Sequence, residues 1–241
     1  MATGTLNELS ENRRALRPLL ASHDPADALA SYYALWHNPK RTQLALSRDP
    51  QGRVDGFIVA CRTGADLFRP VVTLRAPDSD AVGALLRAML APNRSYQVIV
   101  PVTLAAALRE HIEVQQSRLL SIYRLDPARF QPVINVLVQR VDGAGGAPRF
   151  QIESQGQVAA ISGTNWRSPT FAEVYVHVHP MGRRRGWGKS VVSACTASLL
   201  DARLSPLYLA EKQDLSSVRT AESLGYADTG SLEFVAQGHL K

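Results

Sequence analysis

Residues 176–190 read Val-His-Val-His-Pro-Met-Gly-Arg-Arg-Arg-Gly-Trp-Gly-Lys-Ser. Apolar and polar residues alternate up to Val178, Pro180 ends the run, and a helical period takes over from Trp187. That order predicts a strand, a glycine-punctuated cationic loop and a long helix. Backbone N–H groups of such a loop and of the first helical turn lack partners within the helix. They converge on one point, where the helix dipole adds positive charge. Gly186 and Gly188 carry no Cβ, so an oxyanion can approach the backbone closely. Arg183, Arg184, Arg185 and Lys189 add donors and charge. A pyrophosphate suits this arrangement.

The same stretch fits a phosphate-binding P-loop poorly. Gly188-Lys189-Ser190 matches the end of that pattern, but its first glycine falls at Arg183, and Gly182 is one residue early. His177 and His179 have no Asp, Glu or Cys beside them at ligand spacing, which argues against a metal site. Cys61 and Cys195 each stand alone in apolar stretches and read as buried free thiols rather than a disulfide or zinc ligands.

The elements around the loop follow from periodicity. Residues 6–38 read mostly helical, with Asp24 or Asp27 capping a helix through Trp36. Strands are expected at 42–47, 54–62, 71–75, 96–100 and 119–125, and helices at 79–90 and 103–112. Residues 142–148 are glycine-rich and read as a linker or hairpin tip. The order then recurs: strands at 149–154, 158–164, 171–178, 207–210 and 227–235, a turn at 165–169, helices at 187–202 and 215–224. This predicts an α/β chain with a mixed α+β sheet, built as two tandem modules, residues 1–126 and 127–241; a single mixed sheet is the alternative.

Three further matches surround the loop. Arg183-Arg184-Arg185-Gly186-Trp187-Gly188 fits the pattern Gln/Arg-x-x-Gly-x-Gly/Ala, Val178-His179-Pro180 ends the strand before it, and Leu224-Gly225-Tyr226 stands where a Leu-Gly-Phe would close the last helix. On these residues, positions 151–235 resemble the GCN5-related N-acetyltransferase (GNAT) superfamily. The resemblance implies acetyl-CoA as co-substrate. Val176, His177 and Val178 would hydrogen-bond the pantetheine arm, and Arg183 through Lys189, including Trp187, would hold the pyrophosphate. Asp214 occupies the position near the pantetheine where the family often has Asn.

The implied reaction is direct transfer to the amine of a small-molecule or peptide acceptor. An alkyl ammonium must first lose a proton. Glu173, sharing a strand face with Tyr175 and His177, is the first candidate base, and Glu211, after the next strand, the second. A backbone N–H near Val178 would hold the oxyanion. The family's acidic tyrosine falls at Ala221 here. Either Tyr208, Ser217 or a water replaces it, or acid help is dispensed with, or the chain is a non-catalytic acyl-CoA-binding or regulatory protein.

The first half has no such loop: residues 74–81 read Leu-Arg-Ala-Pro-Asp-Ser-Asp-Ala, and the aspartates would repel phosphate. Its expected roles are completing the sheet, shaping the acceptor pocket or forming a homodimer. Tyr32, Tyr33 and Trp36 read as core aromatics or as lining for that pocket. The formal charge of +6 on 241 residues suits a phosphorylated ligand. Nucleic acid is not expected, because the arginine run occupies the pyrophosphate loop and no aromatic platform accompanies it. No apolar run approaches the ~20 residues that span a membrane, and residues 1–12 lack the order of a signal peptide. A cytoplasmic location is the expectation.

Overall fold

Eleven strands and six α-helices alternate along the chain in a computed structural model that describes residues 6–64, 66, 68–143 and 146–241. They are α1 (Leu6–Leu16), α2 (Ala28–Ser31), β1 (Thr42–Arg48), β2 (Val54–Cys61), β3 (Val71–Arg75), α3 (Ser79–Met89), β4 (Tyr96–Pro101), α4 (Ala105–His111) and β5 (Ile112–Leu125). Then follow β6 (Gln139–Asp142), β7 (Pro148–Ser154), β8 (Gln157–Arg167), β9 (Phe171–Val178), α5 (Trp187–Asp201), β10 (Ser205–Ala210), α6 (Leu215–Ser223) and β11 (Tyr226–Leu240). Contacts divide the chain into two units. One comprises Met1–Leu120 with Leu232–Lys241, the other Ser121–Ser231.

In the first unit the strands lie in the order β1-β2-β3-β4-β11. Asp78 starts α3 by accepting the Ala81 N–H at 2.8 Å, and the helix buries Val82, Leu85 and Leu86. These meet Val72, Val98 and Phe234 in one apolar cluster. The helix expected through Trp36 is broken. Asp24 caps only a 3-10 turn at Pro25–Asp27, and Tyr32–Trp36 forms a wider π turn. That width lets the rings of Tyr32 and Tyr33 meet edge-on at 4.9 Å, with His37 5.7 Å from Tyr33. Tyr33 is buried there, whereas Trp36 is 44% exposed.

The second unit orders its strands β5-β10-β9-β8-β7-β6. Helix α5 lies across β7, β8, β9 and β10. Its buried residues Val191, Val192, Cys195 and Leu199 recur at helical spacing. Each such side chain contributes about 1.5–3 kcal/mol when fully buried. Burial pushes the Cys195 thiol up to about 11 and Cys61 up to about 12, so both stay protonated and neither is a nucleophile.

Three further expectations change. Asn165, Trp166 and Arg167 belong to β8 rather than to a turn, because a bulge between Thr164 and Trp166 carries the strand past them. β5 begins at Ile112, seven residues earlier than the apolar run suggests, because residues 113–119 are largely exposed and carry no core pattern. β11 continues to Leu240, pairing Glu233–Gly238 with β4. Of the two readings of residues 142–148, linker or hairpin tip, the second holds: β6 and β7 pair up to Asp142↔Pro148, with Ala144 and Gly145 outside the described residues.

The Thr196 and Tyr226 hydroxyls lie 2.7 Å apart in the core of the second unit. Burial raises the Tyr226 phenol far above its ordinary value, so it remains a neutral hydroxyl. Thr196→Val strands that hydroxyl away from water and should cost about 1–3 kcal/mol in urea unfolding. Adding Tyr226→Phe should recover part of the loss; a double variant no more stable than Thr196→Val alone would contradict this.

Candidate functional site

β9 is held unequally on its two edges. β8 pairs with it along its length, from Arg167↔Ala172 to Ala160↔Val178. β10 pairs with it in parallel only from Ser205↔Phe171 to Tyr208↔Val174. Beyond that point β10 stays with β5, through Leu209↔Ile122 and Ala210↔Ser121, and β9 runs on without it. A gap therefore opens beside residues 175–178. The His179 N–H donates to Ala159 O at 2.9 Å, on the β8 side. Alternation then turns the backbone of His177 toward β8 and the N–H and C=O of Val176 and Val178 into the gap. An extended, amide-bearing chain can bind such an edge as an added strand. The His177 side chain is exposed on the face away from α5, while Val176 and Val178 pack toward that helix.

The loop beyond β9 is tight. A 3-10 turn spans Pro180–Gly182, and an added Cβ on the buried Gly182 would stand 2.6 Å from Ala159 O. Arg184 adopts φ +60° and Gly186 φ +74°. Left-handed residues on either side of Arg185 curl successive N–H groups into a concave nest, the geometry that receives anions. Gly186 then caps α5, and the helix dipole points at the same spot. The side chains of Arg183, Arg184 and Arg185 are exposed, and Lys189 is half-buried. The Arg185 guanidinium stacks 5.0 Å over Trp187. Gly188 has a use the sequence did not reveal. A Cβ there would meet Val178 Cγ2 at 2.9 Å, so its absence seats α5 on β9.

A latch from the β5–β6 connection holds the first turns of α5. Val133 N donates to Ser193 Oγ at 2.8 Å and Asn135 Nδ2 to Ser190 Oγ at 3.1 Å. Ser190 Oγ in turn donates to Gly186 O at 3.2 Å. Nothing in the spacing of residues 126–138 announces these bonds.

The two carboxylates are in different settings. Glu173 stands on the paired part of β9, opposite Leu207 on one side and Trp166 on the other. The β8 bulge sets two residues against it: Trp166 Nε1 donates at 2.5 Å and Asn165 Nδ2 at 2.6 Å. Each carboxylate oxygen of Glu173 thus accepts one side-chain hydrogen bond. Glu211 follows the end of β10 and accepts from Gln213 Nε2 at 2.7 Å. Glu211 lies four residues beyond Leu207, so the two are on the order of 13 Å apart along the strands and do not form a pair.

Asp214 caps α6, its Oδ1 accepting from Ser217 N at 3.1 Å. Ser217 Oγ and Tyr208 Oη are 2.9 Å apart. Tyr208 is the last β10 residue paired with β9, so the backbone that carries this phenol stands where the strands part. Burial is the main reason its phenol is raised; the Ser217 bond opposes the rise and the Asp214 carboxylate adds to it. Tyr208 therefore holds its proton at neutral pH. Ala221 is fully buried in the apolar cluster. Among the described residues, no three His, Cys, Asp or Glu side chains are placed to hold a metal ion, and no helix is long and apolar enough to cross a membrane.

No protein-family model matches the chain, and no curated protein matches it in sequence. Solved structures match the fold. A Drosophila protein superposes with TM-score 0.70 at 12% identity, over 96% of each chain. A GCN5-related N-acetyltransferase from Kribbella flavida gives TM-score 0.64 at 15% identity, over 92% of this chain and all of its own. A tandem GNAT protein from the clavulanic acid biosynthesis pathway gives 0.58 at 12%, over 100% and 97%. The fold is GNAT-like and, as in that tandem protein, extends over the whole chain.

The closeness of Gly182 to Ala159 O makes a direct test of the loop. Gly182→Ala should shift the loop and cost about 1–3 kcal/mol in chemical unfolding, whereas Arg184→Gly, which relieves a left-handed backbone, should cost nothing or stabilise. The reverse ranking would contradict the loop geometry.

Proposed function

We propose that the second unit binds acetyl-CoA and transfers its acetyl group to a primary amine on a small molecule or peptide. One observation carries this reading: β9 parts from β10 and leads directly into a loop with left-handed Arg184 and Gly186. The opened edge offers backbone groups of Val176 and Val178 to the amides of a pantetheine arm. The nest from Arg184 through Lys189 offers N–H groups to a pyrophosphate, and the Arg183 side chain adds positive charge, its own N–H being bonded to Pro180 O. His177 contributes little here, since its backbone belongs to β8. Asp214, already capping α6, can only accept hydrogen bonds from the arm.

Acetyl-CoA supplies a thioester carbonyl that a neutral amine attacks. Glu173, fixed by Trp166 and Asn165, takes a proton from the incoming ammonium. Glu211 is the second candidate for that task. The Val176 or Val178 N–H, aimed into the gap, holds the oxyanion of the addition step. Ser217, with the Tyr208 hydroxyl behind it, donates a proton toward the departing sulfur. This pair would replace the acid missing at Ala221.

The test is calorimetric titration with acetyl-CoA, followed by thiol release with a panel of primary amines. Binding with amine-dependent release supports the transferase. Binding without release for any amine would favour a regulatory acyl-CoA-binding module, which an alanine at position 221 in place of the acid also favours. Absence of binding overturns both. Arg184→Glu with Arg185→Glu, both at exposed positions, should weaken acetyl-CoA binding at least about tenfold without loss of stability. Glu173→Gln should lower kcat by about 100-fold with acetyl-CoA affinity unchanged. An unaltered kcat would pass the role to Glu211.

A further inference from the structure

The first unit has its own parting of parallel strands. β3 and β4 pair only at Val71↔Gln97 and Val72↔Val98, although β3 continues to Arg75 and β4 to Pro101. A cleft of about 230 Å³ opens at their ends. Pro77 after β3, Pro101 at the end of β4 and Leu104 beyond it form apolar walls, with Leu19 beside them. Thr103, Arg75 and Asp55 supply its polar groups.

The cleft is lined by one carboxylate, Asp55, and one guanidinium, Arg75. Arg75 is spent elsewhere. Its Nε and Nη2 donate to Asp27 Oδ1 at 3.1 and 3.0 Å, its Nη2 also to Ala26 O, and its Nη1 to Leu74 O. Asp55 accepts a neutral hydrogen bond, from Ser47 Oγ at 2.7 Å, and among the described residues it forms no ion pair. Asp78 and Asp80 follow Pro77 directly, Asp78 as the cap of α3. With the Arg75 donors engaged, a cation entering the cleft meets the Asp55 carboxylate beside an apolar wall.

We propose that this cleft binds a small primary alkylammonium, with its nitrogen on Asp55 and its stem along Pro77, Pro101 and Leu104. The Thr103 hydroxyl gives the ammonium a second oxygen. At ~30 Å³ for each water-sized group, the volume takes about seven non-hydrogen atoms, enough for a four- or five-carbon amine. The site lies wholly within the first unit and does not depend on the transferase reading.

The test uses the full chain and n-butylammonium chloride as probe, with n-butanol and sodium butyrate as neutral and anionic counterparts, followed by NMR titration of residues around the cleft. Saturable shifts with butylammonium, and none with butyrate, are expected. Asp55→Asn, which can keep the Ser47 bond, should weaken binding at least about tenfold and leave acetyl-CoA affinity unchanged. Thr103→Lys, at an exposed position, places a rival ammonium beside Asp55 and should abolish binding. Glu173→Gln should leave these shifts intact, which separates this site from an amine held in the second unit. No saturable shift, equal binding of butyrate, or binding that survives both Asp55→Asn and Thr103→Lys would overturn the proposal.

Discussion

Backbone hydrogen-bonding groups that lose their partner strand must find another partner or face water, and the second unit is organised around one such loss. β9 keeps β8 on one edge but keeps β10 only as far as Val174. Four residues later the strand ends, and the chain turns into a loop whose N–H groups also point outward. Two sets of unpaired groups, one along an edge and one in a nest, thus lie consecutively in sequence. A ligand with an amide-bearing arm ending in phosphates matches both at once.

Much of the surrounding structure keeps that geometry rigid. Gly182 lets the chain pass Ala159 at a distance no side chain permits, and Gly188 brings α5 down onto Val178. The Asn135–Ser190–Gly186 chain of hydrogen bonds fixes the first turn of the helix. Below it, Val191, Cys195 and Leu199 anchor α5 to the sheet. The nest is therefore built on a packed element, the condition under which donors meet a ligand with little reorganisation. The first unit also parts a pair of parallel strands, β3 and β4, but Ala76, Pro77 and Asp78 follow β3 in place of a glycine-punctuated loop.

The sequence disclosed the part of the site that is periodic. β9 has the bounds its alternation predicts, and Arg184 and Gly186 lie in the expected loop. Gly188 was legible as a glycine that matters, but for approach to a phosphate rather than for seating a helix. What stayed hidden depends on register. Where β9 leaves β10 is a property of two ladders, and no residue type marks it. The donors to Glu173 arise from a bulge that breaks the phase of β8 at Asn165, a position whose polar neighbours suggest a turn. The lengths of β5 and β11 were hidden because exposed stretches carry no core pattern. Among the candidate carboxylates, Glu173 and Glu211 proved to stand in separate places, which two positions on neighbouring strands could not foretell.

Amide hydrogen exchange with and without acetyl-CoA probes the opened edge and the nest together. Acetyl-CoA should slow exchange at Val176 and Val178 and at the amides of Arg184 through Lys189, and leave His177, already bonded to β8, unaffected. Protection confined to other segments, or none at saturating acetyl-CoA, would show that the parted strand and its loop are not where this ligand binds.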